Sequence, residues 1–350
     1  MRAWRCRLVV GALSVAGSLT WAASPEAPRR VIIDTDPGTD DAIAILLALN
    51  SPELKVEALT VVPGNTTAAQ GLENALKLAS LAGRPDIPVA AGAQKPLIQK
   101  LVTAETHGPD GLANISLPKA RSAPDPRFAP DLIVELAHKY PHEITLVTLG
   151  PLTNVALALS RDPKVAGLLK EVVLMGGAIS GGNVDAVAEF NIYVDPEAAQ
   201  VVFQSGLPLT MVGLEIGRKA LFRREHLGRL QKTHGVQNDF VASILGYLVD
   251  LCEKKYGLEG SPLYDPTAMA AVIDRSLIET QLMHVNVELR GEFTRGETVA
   301  NRQNALNRKV PRGDRLVFDG TEPLTPNTQV AVDINAQRFV DLLIARLAGK

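Results

Sequence analysis

The chain has 350 residues, with 36 lysines and arginines against 38 aspartates and glutamates, a formal charge of −2, and 46% hydrophobic residues. That balance excludes a basic nucleic-acid binder or a protein drawn to anionic membrane surfaces, and it supports one large core instead of a disordered chain. Only two cysteines are present, Cys6 and Cys252, too few for a disulfide framework.

Residues 1–23 carry Arg2, Arg5 and Arg7 ahead of an apolar run at 8–19, then small residues at Ala22 and Ala23. This is the pattern of a secretory signal peptide, and the run is shorter than the ~20 residues a spanning helix needs. The expected product is exported, periplasmic or secreted, with no membrane attachment after signal removal. Losing three arginines and no acids moves its formal charge from −2 to −5, and Trp4 and Trp21 go with the segment. Residues 24–350 are expected to form a single domain.

The mature chain opens on a β-branched strand at 31–34, followed by Asp34, Asp36, Asp40 and Asp41 and an apolar helix predicted from Asp41. Four carboxylates within eight residues repel one another unless water or a cation intervenes. Aspartate before a helix also serves as a cap, which accounts for one or two of them. The remainder point to a metal site, and with no histidine or cysteine in the stretch the ion is a hard one, calcium or magnesium. Pro37-Gly38 turns the chain so that Asp36 and the Asp40-Asp41 pair can face one point.

Strand and helix patterns then alternate: strand 56–62, helix 67–81, strand 144–149, helix 152–159, strand 172–175, helix 196–204, strand 209–212. Strands this apolar are buried on both faces, and the intervening helices provide parallel crossovers. The predicted fold is α/β, an open, mostly parallel twisted sheet flanked by helices, with its site at the carboxyl ends of the strands, where Asp36, Asn65, Leu149 and Gly176-Gly177 fall. Segments 94–127 and 213–264 are less regular and are expected to cover the crevice; within the second, a helix at 240–256 puts Leu245, Leu248 and Cys252 on one face. The tail gives strands at 285–289, 298–300 and 329–333 and a last helix at 336–347. Between them Arg302, Arg308, Lys309, Arg312 and Arg315 read as a solvated basic loop.

The opening Asp-Thr-Asp-Pro-Gly-Thr-Asp-Asp resembles, residue for residue, the signature of the inosine-uridine preferring nucleoside hydrolases. The resemblance extends through Thr60-Val61-Val62-Pro63-Gly64-Asn65, Gly108-Pro109-Asp110-Gly111-Leu112, Leu149-Gly150-Pro151-Leu152-Thr153-Asn154, residues 172–177, Ala188-Glu189-Phe190-Asn191, Asp195-Pro196-Glu197-Ala198-Ala199 and Asp265-Pro266. It implies a calcium-dependent N-ribohydrolase that splits ribonucleosides into ribose and free base and assembles as a homodimer or homotetramer. By the same resemblance, Asp36, Asp41, Asp265 and the carbonyl of Leu149 would hold Ca2+, and Asp36 would be the general base that activates a calcium-bound water. Many relatives have threonine at the Leu149 position, which a main-chain ligand tolerates. Asp40, Asn65, Asn183, Glu189, Asn191 and Asp265 would hold the ribose, and Asp34 would orient the other carboxylates.

The base side departs from the family pattern. Pyrimidine-preferring relatives place a histidine just before the last calcium aspartate, where this chain has Tyr264; it can serve as an acid, stack on the base or only pack. Purine-specific relatives stack the base on tryptophan, and here the available rings are Tyr264, Tyr256 and Phe190. His107 either reaches the base or shapes its turn. Two other readings are a calcium-dependent nucleoside-binding protein without turnover and an aspartate-nucleophile phosphohydrolase. The second lacks the downstream phosphate-binding lysine and second acidic motif that its chemistry needs.

Overall fold

A computed structural model describes residues 27–230, 234–301 and 324–348. Six strands follow one another through the first part: β1 (Arg29–Thr35), β2 (Leu54–Val61), β3 (Val89–Ala91), β4 (Thr145–Thr148), β5 (Glu171–Met175) and β6 (Leu209–Val212). The short pair β7 (Leu221–Phe222) and β8 (Ser261–Pro262) comes next, then β9 (Ile278–Met283), β10 (Val285–Val287), β11 (Thr298–Ala300) and β12 (Thr328–Ile334). Eight of these build the main sheet in the order β3-β2-β1-β4-β5-β6-β12-β9. Every pairing in it is parallel except the edge strand β9, which runs antiparallel to β12.

Alternation along β1 explains the layers. Val31 and Ile33 join the core beneath helices Thr39–Leu49, Ala68–Leu81, Val236–Tyr256 and Tyr264–Ile273, while Ile32 joins the core beneath helices Ala129–Lys139, Thr153–Arg161 and Pro196–Phe203. All three are fully buried. A strand apolar on both faces is therefore satisfied only between two helical layers, as the sequence predicts.

The strand order also fixes the site. The chain moves outward from β1 through β2 to β3 and then crosses back to lay β4 on the other side of β1. Connections leaving β1 and β4 diverge, which opens a crevice at their carboxyl ends. Asp36 directly follows β1 and Leu149 directly follows β4, so the topology brings together residues over a hundred positions apart.

Several expectations need correction. The first helix starts at Thr39, not Asp41, because the Asp41 carboxylate accepts the Gly38 N–H at 3.0 Å and so sits as the third helical residue. Helix Val236–Tyr256 is a core layer and not merely a cover: Phe240, Val241, Ile244 and Val249 are buried along with the predicted Leu245, Leu248 and Cys252. The strand predicted at 285–289 ends at Val287 and pairs only with β11 in a separate two-stranded ribbon. Strand β9 and helix Ala129–Lys139 were not predicted; the half-exposed pattern of β9 lacks the continuous apolar run of the central strands. The basic residues 302–315 lie outside the described residues.

Candidate active site

The acidic turn is almost completely dry. Asp34 and Asp41 are fully buried, Asp36 is 1% exposed and Asp265 is 2% exposed. Asp41 accepts hydrogen bonds from the Thr35 hydroxyl, the Gly38 N–H and, at 2.8 Å, the Asn65 side-chain amide. Asp36 Oδ2 accepts the Asn65 N–H at 2.6 Å, but its Oδ1 is buried without a partner. On the other face of β1, Asp34 Oδ1 accepts from Thr60 and Asn154, and its main-chain carbonyl accepts the Leu149 N–H at 2.7 Å. Asp34 thus ties β1 to β2 and to the end of β4.

Asp265 arrives from the first turn of helix Tyr264–Ile273, which packs on helix Thr39–Leu49. Carboxylate oxygens of Asp40, Asp41 and Asp265 lie within 4.8 Å of one another. This trio contains Asp40 where the family resemblance implies Asp36, whose carboxylate is nonetheless close enough to repel theirs. Burial, and then the charge of Asp41, pushes Asp36 well above the usual carboxylate range; burial followed by Asp40, Asp41 and Asp36 does the same to Asp265. Asp40 is raised by burial to about 6.

Such a set cannot all ionise without a counter-charge. The donors present are oxygens, and Asp36 Oδ1 has no hydrogen to accept, so these residues fit a hard divalent cation. The Leu149 carbonyl, directly after β4, accepts from Asn191 Nδ2 at 2.7 Å.

Opposite the acids, Glu189 is 2% exposed and caps helix Phe190–Val194 while also accepting the Gly177 N–H at 2.9 Å. Burial raises its carboxyl to about 7. Asn191 is buried and joins the ends of β4 and β5 through Leu149 O and Met175 O. Asn183 is exposed on the preceding loop, with its Oδ1 accepting the half-buried Phe190 N–H at 3.0 Å. That loop is held by helix Leu214–Lys219: Glu215 accepts the N–H groups of Ile179 and Ser180, and Arg218 donates to the carbonyls of Gly181 and Gly182.

Tyr264 lies against the same helix, which is possible only because position 217 is glycine: a Cβ there would stand 2.4 Å from the ring. Burial pushes its hydroxyl to about 12, partly opposed by the neighbouring Arg218. A phenol so weakly acidic is a poor proton donor at neutral pH, which favours a packing or stacking role for the ring.

His107 ends a single 3-10 turn, and its Nδ1 accepts both the N–H (3.1 Å) and the hydroxyl (2.7 Å) of Thr39. A backbone N–H can only donate, so the neutral ring carries its proton on Nε2. Burial lowers the ring's pKa and keeps it neutral, although Asp40 lies 3.9 Å away. His107 therefore both shapes the turn and leaves a donor edge free. Tyr256 is 49% exposed at the end of its helix, whereas Tyr247 on that helix donates to Thr106 O at 2.8 Å. Sequence reasoning missed Tyr247, Arg218, Glu215 and Asn74; Asn74 lies among Gln70, Glu73 and Lys77 in its helix, so no local signal marked it as buried.

Comparison with known proteins gives a consistent answer. A pyrimidine-specific ribonucleoside hydrolase, RihA, of Citrobacter koseri is 42% identical over 320 residues, covering 91% of this chain and 97% of the relative. Among solved structures, the plant nucleoside hydrolase PpNRh1 superposes with a TM-score of 0.85 at 36% identity, covering 92% of this chain and all of the other. A purine-preferring ribonucleoside hydrolase from Gardnerella vaginalis gives 0.82 at 30% identity, over 92% of this chain and 98% of that one. The family model for inosine-uridine preferring nucleoside hydrolases matches residues 31–341, spanning the acidic turn, Asp265 and the first half of the last helix. The chain belongs to this family of inosine-uridine preferring nucleoside hydrolases and is an N-ribohydrolase that splits ribonucleosides into ribose and free base.

Proposed function

We propose that the preferred substrates are pyrimidine ribonucleosides and that the reaction depends on Ca2+ held by Asp36, Asp41, Asp265 and the Leu149 carbonyl. The observation that carries the metal reading is the convergence of buried aspartates at the β1/β4 crevice with Asp36 Oδ1 unpartnered. The base preference rests on the 42% identity to a pyrimidine-specific relative. A bound cation would neutralise the carboxylates and lower the pKa of a water in its shell.

The protein's own groups account for the rest. Asp36 accepts the proton of the attacking water through Oδ1. Asp40, whose side chain is 13% exposed, is the most open of the trio and takes a ribose hydroxyl, and Asn65, bonded to Asp41, takes another. Glu189 and Asn191 hold the sugar from the opposite wall with Asn183. Loss of the base builds positive charge on the ribose ring, and the surrounding carboxylates favour that charge over the neutral ground state. His107 Nε2–H faces the substrate as a hydrogen-bond donor, and Tyr264 supplies a ring surface beside the base. Export, motivated by residues 1–23, and assembly as a dimer or tetramer complete this reading.

Reducing-sugar release from uridine, cytidine, inosine and adenosine, with and without a chelator, tests it. Uridine and cytidine should exceed inosine in kcat/KM by at least about tenfold, an interval typical of one or two pocket contacts, and chelation should remove all activity. A purine preference would overturn the base assignment, and chelator-insensitive turnover the metal. Tyr264→Phe is expected to change kcat by less than about tenfold, because a donor effect of ~10² or more needs an acid near the working pH. A larger loss would restore proton donation to Tyr264.

A further inference from the structure

Asn74 is 1% exposed, yet it stands among Ala75, Leu76, Leu78 and Ala79 on helix Ala68–Leu81. Its Nδ2 donates to two carbonyls: Pro37 O at 3.1 Å, in the acidic turn, and Asp110 O at 2.8 Å, three residues past His107. Its Oδ1 accepts from Gln70 Nε2 at 3.1 Å, one helical turn earlier, which fixes which end of the amide points at the carbonyls. Both hydrogens of one nitrogen are therefore spent on joining two pieces of the site.

The surroundings match that task. Gly111, with φ of +77°, passes so close that a Cβ would lie 2.6 Å from Thr66 Cγ2 and 3.0 Å from Pro37 O, so the loop rests directly on the acidic turn. Upstream, Thr106 O is held by Tyr247 and His107 by Thr39. Asn74 alone among these side chains touches the backbone of both the acidic turn and the loop beyond His107.

We infer that Asn74 is a positioning residue for hydrolysis, whose amide clamps the Pro37 carbonyl to the Asp110 carbonyl and so sets the distance between the aspartates and the His107 turn before substrate arrives. The inference rests on the reading that His107 faces the substrate. A small misplacement of a binding group costs disproportionately in rate, since a shift of about 1 Å can cost ~10²-fold.

Asn74→Asp keeps the shape but replaces the donor with oxygens that repel both carbonyls. In the full-length, calcium-loaded enzyme it should lower kcat/KM for uridine by about 10- to 100-fold and accelerate amide exchange at residues 105–113 at least about tenfold, with β1 and β4 unaffected. Gln70→Leu, a half-buried change that only frees the amide to flip, should act in the same direction more weakly, and it carries the test should Asn74→Asp not fold. Unchanged exchange at 105–113 in these variants would overturn the inference, as would acceleration spread evenly over the sheet, which marks a general packing role. His107→Ala measured alongside separates the two ideas: unchanged kcat/KM there removes His107 from the substrate, while the exchange result still decides Asn74.

Discussion

Asp36→Asn is expected to reduce kcat by about 10³- to 10⁴-fold, the upper part of the range for removing a general base, while the folded protein persists. The substitution is nearly isosteric, and its side-chain oxygen can still accept the Asn65 N–H that now reaches Asp36 Oδ2 at 2.6 Å. What it removes is the lone pair on Oδ1, the atom left without a partner beneath Gly150, while Gly64 lies over Oδ2. Neither glycine can carry a side chain there, since a Cβ at position 150 would lie 2.6 Å from Oδ1. The glycine backbones are thus what lets the chain pack so closely on this carboxylate. Loss in kcat with KM little changed identifies an interaction made in the transition state. Retention of activity within tenfold would strip Asp36 of its role. Calorimetric titration with calcium adds a second discrimination: Asp41→Asn and Asp265→Asn should weaken metal binding at least as much as Asp36→Asn, because Asp41 and Asp265 belong to the close trio.

The sheet was legible because its central strands are buried on both faces. Runs such as Val31-Ile32-Ile33 and Leu146-Val147 have no polar side to confuse the pattern, and the helices between them fix a parallel order. The edge was not: β9 has only the short alternation of a half-exposed antiparallel strand, without the continuous apolar run that marks the central strands. At the site, residues that act with their own carboxylates or amides in the matched motifs stood out, and Asp36, Asp41, Asn65, Glu189, Asn191 and Asp265 do converge as buried groups. What stayed hidden were contacts whose meaning depends on a distant partner. No spacing announces that Arg218 holds Gly181 and Gly182, that Tyr247 reaches Thr106, or that Thr39 fixes the His107 tautomer. Tyr256, attractive as a ring near Tyr264 in sequence, sits half-exposed because it ends its helix at the left-handed Gly257.

Metal removal should make stability strongly pH-dependent, with the metal-free protein weakening as pH rises from about 4 to above 7. The sign follows from proton binding. Asp40 is raised from 3.8 to about 6, Asp34 from 3.8 to about 7, and Glu189 from 4.5 to about 7, and Asp36 and Asp265 are also raised well above the usual carboxylate range. Between each unfolded value and the higher folded one, the native state binds more protons than the unfolded chain, so the slope of unfolding free energy against pH is negative. Stability is fully present below about pH 4 and is lost as pH climbs through the folded values. One group raised by about two units is worth roughly 3 kcal/mol, and because the acids repel one another the combined loss is of the order of several kcal/mol, or about 10 °C in Tm for a chain of this size. With calcium as the proposed counter-charge in place of the protons, its stabilising effect should be small at pH 5 and largest near pH 7.5, adding up to ~4 kcal/mol at a thousandfold excess over Kd. Thermal melts with calcium or chelator across that range separate the contributions. Asp34 and Glu189 titrate in both forms, so the difference between the curves belongs to Asp36, Asp40, Asp41 and Asp265. A calcium-induced shift in Tm that is the same at pH 5 and pH 7.5 would mean that Asp36, Asp41 and Asp265 are not where the ion binds.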